Sequence, residues 1–226
     1  MTFSSAGSLV AEIEGAHAAG LLASAEHLLV SFSSGGLAFA SKGQPHALVQ
    51  ASARLSPARQ EVMLTGQRPR PWTLDISDSR ELAARLHDLR RGARRVRWEP
   101  EDVGAFAAGA LWTYLMMPLL LAGAERVDRL PDSGGRRRIK VVLPPEIAGH
   151  GRAQTLHLGP TAMIERHDYT ASAIGSWATA AQTVGEYRVF EGIPIATRRI
   201  VAPRLGATRL ARPRLVWIEI HDVTLE

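Results

Sequence analysis

The spacing of apolar residues changes period several times along these 226 residues. Near the start, Leu9, Val10, Ile13 and Ala16 or His17 recur at the three- and four-residue steps of one helical face, with Ser8 or a neighbour as cap and Gly20 as stop. That predicts a helix running to about Ala19. From His27 the period becomes two, through HLLVSFS, LAFAS and HALVQASARL, where Ala47, Val49, Ala51, Ala53 and Leu55 alternate with Leu48, Gln50, Ser52 and Arg54. SSGG and KGQP between them are turn chemistry, and EVMLT and PWTLDIS add two short strands. The first third therefore reads as one helix followed by an antiparallel meander.

Residues 80–97 return to helical spacing, with Leu82, Leu86 and Leu89 set among Arg85, Arg90, Arg91, Arg94, Arg95 and Arg97. An amphipathic helix with a basic face fits, either solvated or in contact with phosphate or an anionic membrane. Residues 103–124, VGAFAAGALWTYLMMPLLLAGA, carry no charge at all. Such a run is long enough to span a bilayer. Pro118 removes a backbone donor and is expected to break or kink the helix near Met117, leaving about four turns after the acidic start at Glu99, Glu101 and Asp102. Small residues crowd its first half and large ones its second. There is no second hydrophobic segment and no aromatic belt, so a buried core helix is the favoured reading over a membrane span.

The remaining hundred residues read as strand after strand: RRRIKVVL, RAQTLHL, MIERHDYTA, WATAAQTVGEYRVF, IPIATRRIVA and LVWIEIHDVTLE. DSGG, LGPT, EGIP and the arginine loop from Pro203 to Pro213 separate them. This exceeds the usual share of strand. The fold class expected is mainly β (α+β), one continuous domain over residues 1–226: a large bent antiparallel sheet with helices on one face and a helical insertion at about 80–122.

Composition narrows the chemistry. The chain has no cysteine, which excludes disulfides, thiolate nucleophiles and cysteine-ligated metal centres. Of its 27 basic residues only Lys42 and Lys140 are lysine, a bias that suits bidentate anion contacts or reflects a GC-rich coding sequence. The first 41 residues hold neither Lys nor Arg, so no secretory or transit pattern is visible and a cytoplasmic setting is expected.

Three His-Asp pairs occur, His87-Asp88, His167-Asp168 and His221-Asp222. In a strand, neighbouring side chains point to opposite faces, so one such pair does not chelate one ion, and no metal site is expected. MIERHDYTA is the strand richest in polar groups, with Glu165, His167 and Tyr169 on one face and Arg166, Asp168 and Thr170 on the other. If the first set faces inward, His167 is the candidate acid/base and Tyr169 a hydrogen-bond donor. If it faces water, Asp168 points inward toward an arginine such as Arg198 or Arg199. The following strand poses the same question for Glu186 against Tyr187. No G-x-G-x-x-G, Walker lysine, G-x-S-x-G or H-E-x-x-H is present.

The order of elements resembles the half-barrel of lipoprotein-localisation factors, the LolA-like superfamily, and its uncharacterised bacterial members. The residues that carry the resemblance are AHAAGLLASAEHLLVSFSSGGLAF from Ala16, FEGIPIATRRIVA from Phe190 and the ending LVWIEIHDVTLE. The resemblance implies a hollow between sheet and helices that accepts an apolar molecule; members ferry lipoproteins or lipids, and a violacein-biosynthesis protein of similar fold is a cofactor-free enzyme. The expectation is then a cofactor-independent biosynthetic enzyme of cyclase, isomerase or lyase type, with a non-catalytic carrier or sensor of a lipid-like ligand as the alternative. His167, Tyr169, Asp168 and Glu186 are its candidate catalytic residues, and Trp112, Tyr114, Met117 and Arg198 its candidate ligand contacts. The partner is a hydrophobic small molecule, with no nucleic acid, no cofactor, and membrane contact not favoured.

Overall fold

The computed structural model of the chain describes residues 6–92 and 96–226. Two short helices, α1 (Ala6–Ala16) and α2 (Ala19–Ser24), lead into β1 (Leu28–Gly35), the single helical turn α3 (Leu37–Ala40), and a meander of β2 (Ala51–Leu55), β3 (Val62–Gly66) and β4 (Trp72–Ile76). Helices α4 (Ser79–Arg91) and α5 (Pro100–Leu120) follow. The chain then runs through β5 (Arg126–Ser133), β6 (Arg136–Val142), β7 (Ala153–Leu158), β8 (Ile164–Thr170), β9 (Thr179–Phe190), β10 (Ile193–Leu205), the two-residue β11 (Thr208–Arg209) and β12 (Val216–Leu225).

All strand pairs are antiparallel and form one sheet in the order β4-β3-β2-β1-β12-β10-β9-β8-β7-β6-β5, with β11 beside β10. The last strand thus pairs with the first: Leu28 lies opposite Leu225 and Gly35 opposite Trp217, with a bulge between Ser31 and Phe32. This joins the early meander to the later one and gives a mainly β half-barrel. Its inward face is apolar at every second position, as in β4, where Trp72, Leu74 and Ile76 are buried and Thr73 and Asp75 are exposed.

Helix α5 fills the trough. Pro100 occupies its first turn and Glu99 caps it reciprocally with Asp102, whose carboxylate accepts from the Glu99 amide at 3.0 Å. Of its 21 residues nearly all from Val103 to Pro118 are buried. It is long and apolar enough to cross a membrane, and those side chains pack inside the protein instead. Gly104 lets it sit down on the sheet: a Cβ there would come within 2.7 Å of the Trp72 ring. One apolar cluster joins the first two thirds of α5 to β1–β4 and β12, and a second joins Met117 and Leu121 with α1 to β6–β8.

Four local expectations are corrected. LAFA is helical, because Gly36 adopts φ +129° and ends β1 where any Cβ would meet the Leu215 carbonyl at 2.5 Å. The first helix stops at Ala16, and Gly20, the expected stop, lies inside α2, the turn between them being made by Ala18 at φ 51°. Pro118 does not break α5, which runs on to Leu120. Edge strand β5 is unheralded, since its exposed Arg126 and Pro131 and half-buried Asp128 and Arg129 show no alternation of polarity. The amphipathic helix is α4, with Leu82, Leu86 and Leu89 buried; Arg94 and Arg95 lie outside the described residues.

Candidate functional site

Between α5 and the β1-β12-β10-β9 part of the sheet lies a cavity of about 860 Å³. Its walls are apolar, from Phe32, Phe106, Ala110, Val201 and Ile218 among others, and Tyr114 and Tyr169 are its inner polar groups. Lys42, Arg90, Arg91 and Arg204 stand at its border, with Trp177 in the segment between β8 and β9, 77% exposed. Lys42 Nζ lies 5.6 Å from the centre of the Trp98 ring, and Arg204 Nε is 3.9 Å from Asp168 Oδ2. Hydrocarbon walls with four cations among the lining residues describe a space for an amphiphile better than one for a sugar or nucleotide.

Behind the two tyrosines is a buried polar layer, set where the two apolar clusters meet. Tyr114 Oη is 2.5 Å from Tyr169 Oη and 2.7 Å from His150 Nε2. His150 stacks on the Tyr169 ring at 3.9 Å, and His167 meets Tyr169 edge-on at 5.2 Å. His167 Nε2 donates to Gln154 Oε1 at 2.5 Å. The three-member chain is satisfied if Tyr169 donates to Tyr114 and Tyr114 to His150, or with both hydrogen bonds reversed, so it can relay a proton toward the cavity or away from it. Burial holds His150 and His167 down to about 3, and the nearby His150 and Arg199 add to the effect on His167. Burial also raises the phenols of Tyr114 and Tyr169 above their ordinary value. At neutral pH all four groups are uncharged.

The remaining expected site residues fall elsewhere. Asp168 points to the opposite face of β8 from Tyr169, where Arg166 grips it at 2.6 and 2.9 Å and His157 meets it at 3.1 Å. Burial works to raise its carboxyl, and the hydrogen bonds from His157 and Arg166 outweigh that and leave it below the usual range. Glu186 is exposed and paired with Arg198 at 2.7 Å, so neither borders the cavity. Trp112 is buried against the other wall, its Nε1–H donating to the Ser56 carbonyl at 2.8 Å, and Met117 belongs to the second cluster. Of the four side chains expected as ligand contacts, Tyr114 alone lines the cavity.

Four members of the polar layer, His150, Gln154, Gln182 and Arg199, lie outside the expected catalytic and ligand-contact residues, Arg199 having entered only as a partner for an inward-facing Asp168. Alternation along β10 carries the signal for Arg199, since Ile193, Ile195, Thr197 and Val201 are its inward-facing neighbours at steps of two. That rule selects Arg199 over Arg198. His150 stands in a stretch without regular structure before β7, and no periodicity marks it.

No family model matches the sequence, and no curated protein matches it either. Among solved structures, a LolA superfamily protein from Nitrosomonas europaea aligns over 98% of this chain and 94% of its own, at 8% identity and a TM-score of 0.46. A DUF1329 family protein from Desulfovibrio piger aligns over 96% of this chain and 92% of its own, at 10% identity and a TM-score of 0.45.

Proposed function

We propose that the protein binds a small amphiphile, with its apolar body in the 860 Å³ cavity and an anionic end toward Lys42, Arg90, Arg91 and Arg204. The observation that carries this reading is the cavity itself, which lies in the 300–1,000 Å³ range typical of ligand sites and has hydrocarbon walls. A cavity of this size left to water would sacrifice the burial of those walls, roughly 25 cal/mol for each Å² kept wet. Titration with cis-parinaric acid, an anionic polyene whose fluorescence rises in apolar surroundings, tests it. Saturable binding is expected, weakened at least tenfold by Ala110→Trp, which fills the cavity from α5, and weakened by Arg90→Glu/Arg91→Glu for this probe but not for its methyl ester. Failure of both probes to bind the wild-type chain would contradict the reading.

A catalytic reading is favoured by one further observation, the Tyr169-Tyr114-His150 chain that meets the cavity. In it, a tyrosine hydroxyl gives a proton to one carbon of a bound molecule and takes one back from another, an isomerisation that leaves the phenols and the neutral His150 as they began, while the surrounding apolar walls exclude water. His167 serves as a positioning residue against both rings. Asp168 and Glu186, neither of which lines the cavity, take no part. Molecules recovered from protein held in D₂O would carry carbon-bound deuterium, and Tyr169→Phe would abolish that; an unchanged isotopic composition would leave binding alone.

A further inference from the structure

Arg199 is a buried cation without a carboxylate. It projects from β10 toward α5 and is 6% exposed. One terminal nitrogen donates to Gln182 Oε1 at 3.0 Å, the other to the Tyr114 carbonyl at 3.4 Å, and the guanidinium lies 5.4 Å from the centre of the Tyr114 ring. Its Nε has no partner, and neither does the adjacent Gln182 Nε2 or, beside His167, Gln154 Nε2. Among the described residues no Asp or Glu stands within ion-pair distance of it.

The groups around Arg199 come from every element packed there: Tyr114 from α5, His17 from the α1–α2 turn, His167 and Tyr169 from β8, and Gln182 and Tyr187 from β9. None of them is an anion near neutrality. Burial lowers His17 to about 4 and raises Tyr187 to about 12, and it works against the Arg199 charge as well. A guanidinium nevertheless keeps its proton, and a lone buried charge is among the costliest features a fold can carry. Hydrogen bonds from neutral acceptors do not cancel it.

Beside Arg199 is a second cavity, about 20 Å³, which it borders together with His17, His167, Tyr187 and Tyr114. That is room for about one water-sized particle, enough for a monatomic ion and too little for sulfate, phosphate or a carboxylate with its chain. We propose that this cavity is a halide site in which chloride, held against Arg199, supplies the missing negative charge. The site is separate from the large cavity, Tyr114 being the side chain that borders both, and it stands whether or not an amphiphile binds next door.

Two measurements on the intact chain test this. In crystals grown in sodium bromide, an anomalous peak is expected beside the Arg199 guanidinium. In solution, exchanging glutamate for chloride at constant ionic strength is expected to raise the melting temperature by about 3–6 °C per tenfold chloride above the dissociation constant. Arg199→Met, which removes the buried charge, should fold and lose that dependence, and Arg199→Lys should keep it with lower affinity. An ordered water in place of the bromide peak, or a wild-type melting temperature indifferent to chloride, would overturn the proposal even if the methionine variant fails to fold.

Discussion

His17, His150 and His167 are imidazoles that the fold keeps neutral, His17 down to about 4 and the other two to about 3, chiefly through burial. Unfolded, each takes up a proton near pH 6.5. Above that pH both states are neutral and stability is unaffected. As pH falls below it, the unfolded chain binds protons that the native chain refuses, and stability drops by up to about 1.4 kcal/mol per pH unit for each histidine. The loss continues to about pH 4 for His17 and to about pH 3 for the others; the lowered Asp168 carboxyl adds to it at the acid end. Urea midpoints measured from pH 7 to 4.5 should therefore fall steeply, with about a third of the slope removed by His167→Gln; a flat profile would mean that these rings are solvated. At this scale the sequence is half legible. Alternation puts His167 and Tyr169 on one face of β8 and Arg199 on the inward face of β10. It does not say which face is inward for β8, because His167, Asp168 and Tyr169 are all buried there, Asp168 by its own arginine and histidine.

Among the elements, α5 decides how close helix and sheet approach. Its small-residue half lies over β3 and β4, where Gly104 faces Trp72 and Leu74. Gly104→Val should cost about 1–3 kcal/mol by forcing the Trp72 ring and the helix apart, against the gain in helix propensity from losing a glycine. Thermal denaturation checks this, and a variant as stable as wild type would show the contact to be looser than drawn. The helix is legible in sequence because twenty-two uncharged residues behind an acidic start leave few alternatives. Its continuation past Pro118 is not, since the packing of Met117 and Leu121 over α1 and β6–β8 outweighs one lost backbone bond. The helical turn Leu37–Ala40 escapes for a related reason: its alternation of large and small apolar residues mimics a strand, and the close approach of Gly36 to Leu215, more than 170 positions away, forbids one.

For the whole molecule, the pairing of β1 with β12 brings the first and last strands together and places the first meander beside the second. Local pattern predicts most of the strands; it is silent on this register, which depends on contacts between opposite ends of the sequence. The pairing also makes the cavity, whose walls come from β1, β12, β10, β9 and α5 together. No single segment of sequence announces it. The central claim is that this space holds a small amphiphile, and native mass spectrometry of the chain purified from its own host tests it most directly. The account predicts a population heavier than the bare chain by one small molecule, released by organic solvent and absent from Ala110→Trp. A wild-type chain found only at its bare mass, and remaining so after incubation with cis-parinaric acid, would contradict it.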